Sequence, residues 1–201
     1  MKKYLLSLSI LGTMACSSEK SADQVNPDMN GMDSSSSVMD HSAHEAKPEV
    51  SKSPRKAAMA MTGGNHIHID YSSPSVRGRQ VFGGLVAMNE VWVTGAHSAT
   101  SIQFDKPVTI NGKRIEVGKY GLFTIPSENE WTIILNQVWD MHLADDYNQS
   151  KDIIRFTVKP ENLSETVEGL TFEVKEKDTK TTQINMAWDK IKISFEAVNA
   201  E

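Results

Sequence analysis

The chain has 201 residues, with 21 Lys and Arg against 26 Asp and Glu and a formal charge of −5. That length suits one domain with extensions, and the mildly acidic balance argues against nucleic acid as a partner. Cys16 is the single cysteine, which excludes a disulfide framework and a cluster of thiolates.

The chain opens MKKYLLSLSILGTMAC. Lys2 and Lys3 form a short positive head, and Tyr4 to Ala15 form an apolar run too short to span a bilayer. The ending Thr13-Met14-Ala15-Cys16 resembles the lipobox of bacterial lipoproteins, in which the leader is cut before a cysteine whose thiol takes a diacylglycerol. The expectation is a leader over residues 1–15 and a lipidated Cys16. Such a protein is held in the cell envelope, at the periplasmic face or the outer membrane, with the lipid as its membrane contact. Loss of Lys2 and Lys3 takes the formal charge from −5 to −7. No second hydrophobic stretch approaches membrane-spanning length.

Residues 16–56 read as a tether. SSEKSADQVNPDMNGMDSSSSVMDHSAHEAKPEVSKSPRK holds no aromatic residue and only three branched aliphatics, Val25, Val38 and Val50. Such a stretch buries too little surface to offset its ordering entropy, so disorder is expected. A flexible chain of about forty residues spans roughly 35 Å. Its methionines and histidines need a reason: Met39, His41 and His44 sit together in MDHSAHE, with Met29 and Met32 upstream.

From residue 57 to 201 the sequence turns to short alternating runs broken by turn signals. NHIHIDY, EVWVTG, TSIQF, PVTI, KYGLFTI, EWTIILN, DIIRFTVK, TVEGLTFEVK, TTQINMAW and KIKISFEAV each read as a strand rich in Ile, Val, Thr and aromatics. Asn111-Gly112, between PVTI and KRIEV, is the strongest hairpin signal. About ten short strands with no long helical period predict an all-β domain, a single antiparallel β-sandwich. Short helical turns are expected in RGRQVFGGLV and near DMHLADDYNQS.

YSSPSVRGRQVFGGLV, EVWVTGAHSAT, INGKRIEVGKYGLFTIPSENEWTIIL and IIRFTVKP occur in that order, and together they resemble the DUF2911 family of exported, β-rich bacterial proteins. The resemblance covers roughly residues 53–196. It implies a fold more than an activity. Where that family commonly reads Trp-Arg-Thr-Gly-Ala-Asn, this chain has Trp92-Val93-Thr94-Gly95-Ala96-His97, so no role of that arginine carries over. His66, His68 and His142 also lie outside the family pattern.

Six histidines are present, four of them in the domain: His66, His68, His97 and His142. In Asn65-His66-Ile67-His68-Ile69-Asp70 the alternation puts His66, His68 and Asp70 on one strand face and the isoleucines on the other. Same-face side chains emerge about 6.6 Å apart, and metal–nitrogen bonds of about 2 Å let two imidazoles lean onto one ion. His97 and His142, in loops, are the candidates to complete the site, with Asp70 and Met141 as outer ligands. A solvated strand face also accounts for alternating polar residues. Without a thiolate, a soft site must use thioethers, and methionine with histidine favours copper, with zinc as the alternative. Met39, His41 and His44 resemble one copy of the Met/His repeats of periplasmic copper-resistance proteins, and would act as an accessory collector.

Other constellations are weaker. No nucleophile elbow accompanies Ser98, and Asp70, Asp140, Asp145 and Asp146 give no spacing for a glycosidase pair, so no catalytic residue is assigned. Trp131 and Trp188 alternate in register with aliphatics and read as core, leaving Trp139 as a binding aromatic. Arg77 and Arg79 flank Gly78 and could meet an anion, although such a pair is more often solvated. The expectation is an envelope lipoprotein that binds copper for sequestration or for transfer to or from a partner protein. The alternatives are a ligand- or protein-binding β-sandwich and, behind it, a metal-dependent hydrolase.

Overall fold

The computed structural model describes residues 52–201. Ten strands follow in chain order: β1 (Arg55–Thr62), β2 (Asn65–Ser72), β3 (Thr100–Phe104), β4 (Val108–Ile110), β5 (Lys113–Ile115), β6 (Gly118–Ile125), β7 (Trp131–Asn136), β8 (Asp152–Val158), β9 (Glu161–Glu176) and β10 (Thr181–Asn199). They form two antiparallel sheets, one ordered β1-β2-β3-β6-β7-β8 and the other β5-β4-β10-β9. The fold is all-β and sandwich-like, as the alternating runs predict. Among the described residues no helix is long and apolar enough to cross a membrane.

Alternation sets which face is buried. On β2, Ile67, Ile69 and Tyr71 are buried while His66, His68 and Asp70 are half-exposed. Ile102 and Phe104 of β3, and Trp131, Ile133 and Leu135 of β7, face the same core. The second sheet answers with Ile110, Phe172, Ile184, Met186, Trp188 and Ile193. A smaller cluster lies outside the six-stranded sheet, where Phe123 and Ile134 pack against Val93, Ala99 and Met141 of the loops.

Three elements differ from expectation. The first strand, RKAAMAMT, begins at Arg55, inside the stretch assigned to the tether. EVWVTG is no strand. Trp92 makes one two-bond bridge to Thr124 (2.8 and 3.0 Å) before Thr94, at a φ of 52°, turns the chain away. TTQINMAW and KIKISFEAV are one strand, β10, interrupted by a bulge at Asp189, whose φ is also 52°. Among the described residues the helical content is a single 3-10 turn, Gln149–Lys151, near the predicted DMHLADDYNQS; RGRQVFGGLV forms non-helical turns. Asn111-Gly112 closes the β4–β5 hairpin with both φ values positive, 45° and 77°, as its sequence predicts.

Candidate metal centre

β1 and β2 form a hairpin whose turn is Gly63-Gly64, with φ values of 57° and 72°. Two positive φ values in a two-residue loop match the right-handed strand twist and set the register. A side chain at 63 is excluded, because its Cβ would lie 2.6 Å from the Thr179 carbonyl oxygen. Asn199 ties the hairpin to β10: its Nδ2 donates to the Thr62 carbonyl and its Oδ1 accepts from Asn65 Nδ2, both 2.8 Å.

The register pairs Met61 with His66 and Met59 with His68. Ala58 and Ala60 turn to the core, leaving the two methionines 52% and 58% exposed on the outer face beside the histidines. Opposite residues hold their Cβ atoms about 4.5–5.5 Å apart, and same-face neighbours along a strand about 6.6 Å. The four side chains therefore mark a rectangle whose centre is about 4 Å from each Cβ, within reach of two thioether sulfurs and two imidazole nitrogens. An ion about 2 Å from one nitrogen of each imidazole holds the ring centres about 6 Å apart or less. The His66 and His68 rings are 5.6 Å apart, tilted by 58°.

Carboxylates stand behind both rings. His68 Nε2 donates to Asp70 Oδ1 at 2.9 Å, which leaves Nδ1 as the free lone pair. Asp105 Oδ2 lies 3.8 Å from His66 Nδ1, near enough for its charge to act but too far for a hydrogen bond. Asp70 is itself fixed by Lys119, whose Nζ donates to Oδ2 at 3.3 Å and lies 4.5 Å over the Trp139 ring. Burial pushes the Asp70 carboxyl up, but the hydrogen bonds and charges of His68 and Lys119 outweigh it and hold the group below its usual range. With both oxygens engaged, Asp70 orients His68 rather than offering itself as a ligand.

The four domain histidines do not form one site. His97 and His142 make a second pair, with rings 6.5 Å apart and stacked at 19°. Backbone bonds hold them together: Leu143 N–H donates to the His97 carbonyl at 2.7 Å, and Ala99 N–H to the Met141 carbonyl at 2.8 Å. His97, held to His142, precedes β3, whereas the residue that follows β3, Asp105, is the neighbour of His66. Five residues of strand put the two pairs about 17 Å apart. Met141 is buried against Phe123, so its thioether is part of the small core. Among the described residues no three His, Cys, Asp or Glu side chains gather to hold a metal ion. A centre on the hairpin therefore depends on Met59 and Met61. Sequence reasoning passed over both, although MAMT-Gly-Gly-NHIH carries the hairpin signal that pairs them with the histidines.

The loop bearing Trp139, Met141 and His142 is clamped at its base. Asp152 accepts from Tyr147, Asn136 and Arg155, and Asn136 Oδ1 accepts from the Val138 amide. Burial and the bond to Asp152 push the Tyr147 hydroxyl up to about 12, so the clamp keeps a neutral phenol at ordinary pH. Trp131 and Trp188 are core residues, as their register predicts, and Trp139 is 42% exposed. Asp140, Asp145 and Asp146 lie exposed on the loop. The tether residues Met29, Met32, Met39, His41 and His44, and Cys16, lie outside the described residues.

A family model described as a protein of unknown function (DUF2911) matches residues 53–197, most of the chain. The chain belongs to the DUF2911 family. No curated protein and no solved structure matches it. The segments that carry the likeness to DUF2911 build the long connection from β2 to β3 and the strands β4 to β8. Val93 is buried against Phe123, Ile134 and Met141. The Met59, Met61, His66 and His68 rectangle lies on the β1–β2 hairpin, within the matched residues 53–197.

Proposed function

We propose that this protein is an envelope lipoprotein that binds copper on the outer face of its first hairpin, for sequestration or for exchange with a donor or acceptor protein. The observation that carries the reading is the register: Met61 opposite His66 and Met59 opposite His68, all on one half-exposed face. Two thioethers and two neutral imidazoles form a soft, uncharged ligand set, which suits Cu(I) better than zinc. Asp70 supplies the outer carboxylate that orients a metal-ligating histidine, His68, and Asp105 places a second negative charge 3.8 Å from the His66 ring. The exposed position suits a centre that gives up its ion to a partner. In this account Cys16 carries the lipid, and Met39, His41 and His44 are a weaker collector that raises the local copper concentration near the hairpin. No residue is assigned a catalytic role.

The test is a Cu(I) competition titration, with Zn(II) in parallel, of the chain from Cys16 onward. The unaltered protein is expected to hold one tight equivalent of Cu(I). The pair His66→Ala and His68→Ala is expected to weaken that equivalent at least a hundredfold, while His97→Ala with His142→Ala leaves it in place. Equal Cu(I) affinity in the His66 and His68 variant, or tighter binding of Zn(II) than of Cu(I), contradicts the reading.

A further inference from the structure

The connection between β2 and β3 lines an open cavity of about 290 Å³ to which no residue of β1 or β2 contributes. Lys52, Arg77, Arg79 and His97 lie on its wall together with Trp92 and Trp188. The two arginines hold backbone carbonyls: Arg77 Nη2 donates to Lys52 O at 3.2 Å, and Arg79 Nε and Nη2 donate to Val76 O and Ser75 O at 3.1 and 2.7 Å. Neither guanidinium has an ion-pair partner among the described residues. Glu168, the nearby acid, accepts from the Arg77 backbone amide at 2.9 Å and not from its side chain. Two uncompensated guanidiniums on a cavity wall favour an anion, and their planar donors match a carboxylate.

The lining also has an apolar part. Trp92 stacks on Trp188 with ring centres 5.8 Å apart and planes at 22°, and Leu85, 45% exposed, belongs to the same lining. Trp92 Nε1 donates to Gly95 O at 2.9 Å. Trp188 is 2% exposed, and its Nε1–H has no hydrogen-bond acceptor among the described residues. The backbone is strained at the same place: Arg77, Thr94 and His97 hold φ values of 50°, 52° and 64°. Such outliers persist where the surroundings over-determine them, and they cluster at ligand sites.

We infer that this cavity binds a small organic carboxylate, with its acid group at Arg77 and Arg79 and an aromatic or aliphatic body against Trp92 and Trp188. The volume lies at the lower end for small-molecule sites. A bare inorganic anion leaves the indole wall unused, and a neutral ligand leaves the guanidiniums uncompensated. This binding is independent of the copper reading and shares no residue with the hairpin.

The experiment titrates the chain from Cys16 onward with benzoate, phenylacetate and hexanoate, followed by tryptophan fluorescence and calorimetry. Benzamide, phenylacetamide and inorganic phosphate run in parallel. At least one carboxylate is expected to bind with a midpoint in the millimolar range or below, and at least tenfold more tightly than its amide counterpart or phosphate. Arg77→Gln and Arg79→Gln are each expected to weaken it at least tenfold. Binding by none of the three carboxylates, equal binding of the amides or of phosphate, or unchanged affinity in both folded variants overturns the inference. The comparison of acid with amide is made on the unaltered chain, so it stands even if either substitution prevents folding.

Discussion

The nitrogen of His68 that faces Asp70 donates to that carboxylate, so in the neutral ring the other nitrogen is the lone pair open to an ion. That single bond turns a half-exposed histidine on a strand into an oriented ligand, because tautomer and ring angle are fixed before any ion arrives. Asp70→Asn keeps the shape and removes the charge, so Cu(I) affinity is expected to fall about 10- to 100-fold. The same substitution tests the acid limb of stability. The Asp70 carboxyl is held below its ordinary range, so its contribution is present above the unfolded value and is lost as pH falls through the lowered one. Asp70→Asn should therefore flatten that limb in thermal unfolding measured across acidic pH; an unchanged limb contradicts the ion-pair account. The histidines and Asp70 were legible in the sequence because alternation alone puts them on one face. Met59 and Met61 were not, since a run of Ala and Met has neither strong strand propensity nor an aromatic to mark it. Their position comes from the partner strand. The placing of His97 and His142 together, apart from His66 and His68, also rests on non-local backbone pairing, Ser98 with His142, that no local spacing encodes.

At the scale of elements, the hairpin β1–β2 is the device that makes four residues into one site. Its register follows from a turn in which both glycines have positive φ, and a slip of one residue would send the methionines to the core face. Gly63→Ala places a Cβ against the Thr179 carbonyl in a backbone conformation that L side chains rarely adopt. The expected cost is about 1–3 kcal/mol of stability, with weakened Cu(I) binding in the part that still folds. Chemical denaturation measures the first and competition titration the second; a midpoint unchanged from the native chain contradicts the assigned turn. The pair Gly63-Gly64 announces itself less plainly than Asn111-Gly112, whose hairpin the sequence alone identified. Strand ends were legible where turn residues mark them. They were not legible at Thr94 or Asp189, where a non-glycine residue adopts positive φ and either ends a strand early or lets one run on through a bulge. Side-chain bonds help hold Thr94 in that state, with its hydroxyl 3.1 Å from that of Thr124; that partner is thirty residues away in the chain.

In the molecule as a whole, the sandwich separates two chemistries. The sheet-on-sheet core fixes a hairpin face of thioethers and imidazoles near one end of β2, while the long β2–β3 connection brings Arg77, Arg79 and Trp92 to a cavity that Trp188 of β10 also lines. The family match over residues 53–197 takes in both regions, the Met/His hairpin as well as the β2–β3 connection. The central claim concerns the four residues of that face, and X-ray absorption at the copper edge of the Cu(I)-loaded chain tests it most directly. The tether is first silenced by Met29→Leu, Met32→Leu, Met39→Leu, His41→Asn and His44→Asn. The account predicts one copper per chain with mixed ligands, sulfur at about 2.3 Å and nitrogen at about 2.0 Å. It also predicts that the sulfur shell disappears in Met59→Leu with Met61→Leu. A shell of nitrogen and oxygen alone in the chain that keeps both methionines, or a sulfur shell that survives their replacement, would contradict it.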